Sequence, residues 1–383
     1  MVRRHRAVSG PSEPVQARRV LGIDIGGAHI KLANSAGQSA AWYFPMWRTA
    51  DELASCLRQW FECFSRDTRA VYSHLAVTMT GEMADCFASR SAGVEFILQH
   101  VVRALGTLEL HVYSVDGIWL SPQAACQRPW DVAASNWHAL AQWIARYVVT
   151  DSENLRLVLD IGSTTVDVIP MIDGRVATTA RCDSERLRRR QLLYTGVGRT
   201  PIAAILSSAT IGGAHWPIVA ERFATSDDAY VVLGLVPADD TAWPDNWLSE
   251  SSAQQRSSDG SDVETADGRP RTLNAARARL ARMLGEDCER LEHGEVDSLA
   301  RQIVDFQARQ VARAIADNLP ELPLPDGRPL IVVSGHGLPL AQLAIAQLPL
   351  GVDGLVLSER ISPNAARCAP AVAVARLLET HLQ

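Results

Sequence analysis

Two stretches of this chain are near copies of one another, and they constrain the fold more than anything else in it. Val20 to Ala33 reads VLGIDIGGAHIKLA and Val158 to Met171 reads VLDIGSTTVDVIPM. Each is an apolar run closing on Asp-Ile-Gly, then a turn of small residues, then a second apolar run. Two hairpins with an acid in the same slot, Asp24 and Asp160, predict two related lobes facing one cleft. Glycine permits the tight turn and brings backbone N–H groups close to a ligand. Successive N–H groups in such a turn form a nest that attracts anions, phosphate above all. An acid at the strand end repels phosphate but can hold Mg²⁺, or a water that contacts it. The pattern therefore assigns phosphate contacts to Gly26 and Gly27 in one turn and to Gly162, Ser163, Thr164 and Thr165 in the other. Asp24 and Asp160 are the expected Mg²⁺ ligands. Lys31 follows on the outgoing strand, where its ammonium can reach a phosphate; a solvated strand residue is the plainer alternative.

Length and charge narrow the remaining possibilities. The chain has 383 residues, is 47% hydrophobic and carries a formal charge of −6. That is enough for one large or two medium domains with ample core. A mildly acidic balance implies no general affinity for nucleic acid. No apolar run reaches the roughly eighteen residues of a membrane span. The seven cysteines are scattered, odd in number and without a CxxC, which reads as a reduced, cytoplasmic protein. Residues 1–18 are basic without an apolar core and read as a disordered tail. The first lobe is expected at 19–150 and the second at 151–383, with a helical insertion and a mobile Ser/Asp/Gln-rich loop near 249–269.

Further candidates lie after strands. HLAVTM, from His74, runs into Thr80-Gly81-Glu82-Met83-Ala84-Asp85. Read as a helix start capped by Thr80, this places Glu82 and Asp85 on one face. They are either a base-supplying pair at a strand's carboxyl end, where ligands bind in α/β sheets, or capping and solvated acids. Asp116 follows the strand Leu108 to Tyr113 and is a third candidate base. The run SERLRRR, from Ser184 to Arg190, precedes a glycine-rich turn holding Gly196, Gly198 and Arg199, read as a functional loop. Leu330 to Leu340, LIVVSGHGLPL, is a late strand with Gly335 and Gly337 in its turn.

The two hairpins and the late strand, in that order, resemble the actin-like ATPase superfamily of sugar kinases, Hsp70 and actin. The resemblance implies an α/β fold of two ribonuclease-H-like lobes around a central cleft, with Gly335 and Gly337 near an adenosine. GIDIGGAHIKLA, AVTMTGEMADCF, YSVDGIW, AASNW, LDIGSTTVDVIP, LLYTGVGRTP and VVSGHGLPLA together are similar to a narrower group. This is the tetrahydromethanopterin-linked one-carbon-transfer pathway family, related to hydantoinase A and oxoprolinase. His29 stands where that family is expected to carry Asn.

What the family resemblance implies is a transferase of methanofuran-type cofactor biosynthesis. It would join an (aminomethyl)furan-methyl diphosphate to the phenol of a γ-glutamyltyramine or tyrosine acceptor, forming an ether and releasing diphosphate. Its partners would be these small molecules, with Mg²⁺ bound and ATP not required. Ala28 agrees with that, since it stands where phosphotransferases carry a hydroxyl. Two other classes stay open: an ATP-dependent kinase or oxoprolinase-like hydrolase, and a non-catalytic actin-like assembly protein.

Overall fold

The computed structural model describes residues 20–150, 153–238, 265–320, 328–349 and 351–383. The N-terminal tail and most of the 249–269 loop fall outside these residues. Among the described residues, fourteen strands form two large sheets and a separate hairpin.

The first sheet contains β1 (Val20–Ile25), β2 (His29–Asn34), β3 (Ser39–Tyr43), β4 (His74–Met79), β5 (Glu109–Tyr113) and β6 (Trp119–Leu120). Its order is β3-β2-β1-β4-β5-β6, with β1 antiparallel to β2 and parallel to β4. The second sheet contains β7 (Leu155–Ile161), β8 (Val166–Ile172), β9 (Arg175–Val176), β10 (Leu192–Leu193), β13 (Leu330–Gly335) and β14 (Asp353–Val356). It runs β10-β8-β7-β13-β14, with β9 against β8. Here β7 is antiparallel to β8 and parallel to β13. Strands β11 (Ser208–Ile211) and β12 (Ala214–Pro217) pair only with each other. Each large sheet is thus a hairpin with two parallel strands added beside its first strand, and the two lobes expected from the repeated motif are present.

Period-two alternation decides which side chains meet. On β1, Leu21, Ile23 and Ile25 join a core with the helices Leu53–Thr68 and Arg90–Leu105 on one face of the sheet. On β7, Leu157, Leu159 and Ile161 do the same with His293–Asn318 and Leu338–Ile345. The opposite faces of both sheets share a middle layer made by the helices Asn136–Trp143 and Ala369–His381. Asp24 and Asp160 belong to these inner faces, so alternation alone turns both acids toward the space between lobes. The last helix seats on β1 through Gly22: a Cβ there would lie 2.0 Å from the Ala371 carbonyl oxygen.

Two local readings change. Thr80 caps no helix; Gly81–Met83 is a short 3-10 turn, and the helix after it begins at Arg90, capped by Ser89. Glu82 and Asp85 therefore do not share a helix face. Asp85 is exposed, whereas Glu82 is buried. Much of the basic run lies in the helix Asp183–Arg188, which sends Arg186 into the interior.

Candidate functional site

The two hairpin turns have the same hydrogen-bond plan. The Gly26 amide donates to the His29 carbonyl at 2.9 Å, and the Gly162 amide donates to the Thr165 carbonyl at 2.9 Å. In each turn the carbonyls are then tied down by a later segment. Met46 and Phe44 amides donate to the Gly27 and Ala28 carbonyls; Val197, Gly198 and Gly196 amides donate to those of Gly162, Ser163 and Thr164. A Cβ on Gly196 would lie 2.4 Å from the Ser163 carbonyl carbon, so only glycine fits that close approach. Among the described residues, the amides of Gly27, Ala28, Ser163 and Thr164 donate to no backbone or side-chain acceptor. Anchored carbonyls and unspent amides make both turns anion nests.

Between the turns lie the charged groups. Asp24 is cross-strand neighbour to Lys31, whose Nζ stands 3.3 Å from Asp24 Oδ2; Asp24 Oδ1 is buried without a hydrogen-bond partner. Burial lowers the Lys31 pKa, but Asp24, with Cys368 and Asp160, more than offsets this, and the net shift is upward. Lys31 is a fixed cation. Asp160 is pushed up to about 6, first by burial and then by Asp167, against the pull of Ser334 and Lys31; Asp24 adds to the push. Asp24 and Lys31 are an ion pair, and Asp160 is close enough for its charge and theirs to influence one another. A crowded carboxylate and an orphaned buried oxygen are what a divalent cation would satisfy, so Asp24 and Asp160 fit an oxygen-ligated Mg²⁺.

Glu82 lies beside this group. It is 1% exposed, and neither carboxylate oxygen has a hydrogen-bond partner. Burial drives its pKa up to about 7 against the pull of Arg90, whose Nε is 3.9 Å away. Arg90 in turn pairs with Asp183 at 2.7 Å, linking the lobes. Arg199 bridges them too, its guanidinium 5.2 Å over the Trp47 ring. His29 reaches solvent from its turn yet sits deep between the lobes. That setting, together with Lys31, His336 and Arg199, brings its pKa down to about 4, so it is neutral at pH 7.

The remaining predicted residues divide. The amides of Gly196, Gly198 and Arg199 are spent on the second turn, which they hold in shape. The turn after β13 is likewise spent on packing: His336 and Gly337 amides both donate to the Ile161 carbonyl at 3.1 Å, and Gly335 takes φ +82°. Asp116 is held by Arg181 and lines a separate cavity of about 630 Å³, formed with Tyr113, His138, Gln142, Arg146 and Arg175. Tyr113 follows Val112 in a register that sets it level with Thr78 and Asp24, two strands from Asp24 and so about 10 Å away. Arg146 and Arg175 reach this cavity from opposite lobes, and Arg146 is carried on a π-helical turn, Ile144–Val148. Sequence reasoning missed this cavity and the pairing of Arg186 with Asp167 at 2.8 Å. The only available hint was a π-turn, which no periodicity reveals.

The family model described as hydantoinase/oxoprolinase matches residues 74–381. Over 366 residues the chain is 27% identical to a synthase of Methanocaldococcus jannaschii, spanning 95% of this chain and 98% of the relative. That synthase is named for its product, a (furan-2-yl)methanamine bearing a (gamma-L-glutamylamino)ethyl-phenoxymethyl group. A synthase of the same name from Methanococcus vannielii is 24% identical over 240 residues, covering 62% of this chain and 97% of the relative. Among solved structures, nucleotide-free acetone carboxylase aligns with TM-score 0.54 at 10% identity, over 93% of this chain and 70% of that one. The fold is the two-lobed actin-like ATPase type.

Proposed function

The chain belongs to the hydantoinase/oxoprolinase family, and we propose that within it this protein is a diphosphate-releasing transferase of methanofuran-type cofactor biosynthesis. It joins an (aminomethyl)furan-methyl diphosphate to the phenol of a γ-glutamyltyramine or tyrosine acceptor. The phenoxymethyl ether in the product name of the archaeal relatives supports this reading. The observation that carries it is the pair of facing nests with Asp24, Lys31 and Asp160 between them.

The C–O bond to diphosphate breaks with its electron pair leaving on the diphosphate. The furan stabilises positive charge at the methylene carbon, so the protein's chief task is to hold the departing anion. The amides of Gly27, Ala28, Ser163 and Thr164 and the Lys31 ammonium are aimed at that charge. Mg²⁺ held by Asp24 and Asp160 would neutralise part of it. The phenol oxygen forms the new bond and gives up its proton. Glu82, with a pKa of about 7, is matched to accept a proton at neutral pH from a phenol whose reference pKa is near 10. Asp85 is exposed, and Asp116 is already engaged by Arg181. The acceptor's carboxylate suits the Arg146 and Arg175 cavity, which the two lobes build together.

The test is diphosphate release by purified protein with Mg²⁺, the furan-methyl diphosphate and each acceptor, with and without ATP. Acceptor-dependent release with an ether product of the right mass, and no need for ATP, is the expected result. ATP turnover without ether would overturn the proposal in favour of a kinase or hydrolase.

A further inference from the structure

A second cluster of chemically capable side chains lies at the far end of the first sheet, away from the cleft. His74 opens β4 and Glu109 opens β5, and the two are register partners; His111 pairs with Ala76 one pleat further on. Alternation puts all three on the face that carries Ala76 and Tyr113, along the row that ends at Thr78. Four residues separate His74 from Thr78, so the cluster is about 13 Å along the strand from the level of Asp24. Trp119 stands against His111, ring centroids 6.5 Å apart, and His381 at the end of the last helix stands 6.5 Å beyond Trp119.

One donor atom from each of the three residues lies within 4.8 Å of the other two. His74 Nδ1 is 3.3 Å from His111 Nε2. Glu109 Oε2 is 3.4 Å from His74 Nδ1, and Glu109 Oε1 is 3.5 Å from His111 Nε2. A tetrahedral ion with ligands at about 2.0–2.2 Å has edges of about 3.3–3.5 Å. Ordinary forces explain the arrangement poorly. The glutamate side chain is 65% exposed, and an exposed pair of this kind gains little against the entropy of holding a long side chain still. Two imidazole nitrogens and a carboxylate gathered this closely make a ligand set.

We propose that His74, Glu109 and His111 bind one divalent ion of the zinc class, with water completing the fourth position. Two imidazoles and a carboxylate select zinc over magnesium or calcium, which take oxygen donors. The ion ties the first residues of two parallel strands together and lies too far from Asp24 and Asp160 to take part in the cleft chemistry. Its binding is therefore expected to raise the melting temperature and leave turnover with Mg²⁺ unchanged.

The experiment uses the full chain, stripped with chelator and dialysed. Zn²⁺ is titrated in by calorimetry, and Co²⁺ in parallel for its visible tetrahedral absorption. One equivalent should bind with a submicromolar dissociation constant and give the Co²⁺ band. His74→Ala and His111→Ala should each weaken binding at least about 100-fold, and Glu109→Gln, which keeps size and fold, about 10-fold. Circular dichroism confirms that each variant is folded. Absence of a stoichiometric site would overturn the proposal. So would binding unchanged in the folded Glu109→Gln and His111→Ala proteins, which would assign the ion to the cysteines instead.

Discussion

The two hairpins share a motif, a turn plan and a place in their sheets, yet they differ in the residue opposite the acid. Across from Asp24 stands Lys31; across from Asp160 stands Asp167. The first hairpin thus carries its own counter-ion, and the second carries a second negative charge. The second lobe manages that charge with Arg186, which is buried, 2.8 Å from Asp167, and stacked 4.1 Å from the Trp137 ring. Arg186 pairs with Asp167, while burial first and Asp167 second push the Asp160 pKa up to about 6. The turns differ as well: Gly27 and Ala28 offer only backbone, while Ser163 and Thr164 add hydroxyls. A repeated motif fixes the backbone, and its side chains then divide the labour. One copy is a neutralised anchor, and the other is an acid waiting for a cation.

The sharpest test of that division removes each acid in turn. Asp24→Ala and Asp160→Ala should each lower diphosphate release at least about 10³-fold, the loss of several kcal/mol of charge stabilisation. If only one does, the two hairpins are not acting on one anion. Next in size, Arg186→Met should leave Asp167 as an uncompensated buried charge and destabilise the fold by about 3 kcal/mol in urea denaturation. Lys31→Met likewise leaves Asp24, which is 2% exposed, without its counter-ion, so it should lower the denaturation midpoint as well as turnover.

Glu82→Gln should cost about 10²-fold in rate. The wild-type rate should fall tenfold per pH unit below about 7, because the base must be deprotonated, and that limb should vanish in the variant. Last, Asp160→Asn should stabilise the Mg²⁺-free protein at pH 7 by up to about 3 kcal/mol. A carboxyl with a raised folded pKa binds its proton more tightly when folded. Its cost to stability therefore grows as pH rises from about 4 to about 6. The difference between variant and wild type should close again below pH 4 when melting is followed in chelator.

The duplicated Asp-Ile-Gly hairpins were legible because their pattern is local: an apolar run, then an acid, then glycine and small residues. The same locality gave the nests, since turn amides follow from turn sequence. The site's other parts depend on what folding brings alongside. Glu82 and Asp85 look equivalent in sequence, but a 3-10 turn buries one and exposes the other. SERLRRR looks like a solvated face until Asp167 is placed beside it. Gly196, Gly198, Gly335 and Gly337 read as ligand contacts, yet their segments are held against the second hairpin by hydrogen bonds that composition does not announce. His74, Glu109 and His111 gave no signal at all, because their convergence depends on the pairing of two parallel strands.

The helix Ala369–His381 also governs how the molecule is made. It comes far later in the chain than β1, yet it fills a groove on that strand. On the ribosome the inner face of the first sheet, with Val20, Ala33 and Ala76, must wait for this 13-residue helix before it is covered. A chain that stops before Ala369 is consequently expected to leave that apolar face of the first lobe open.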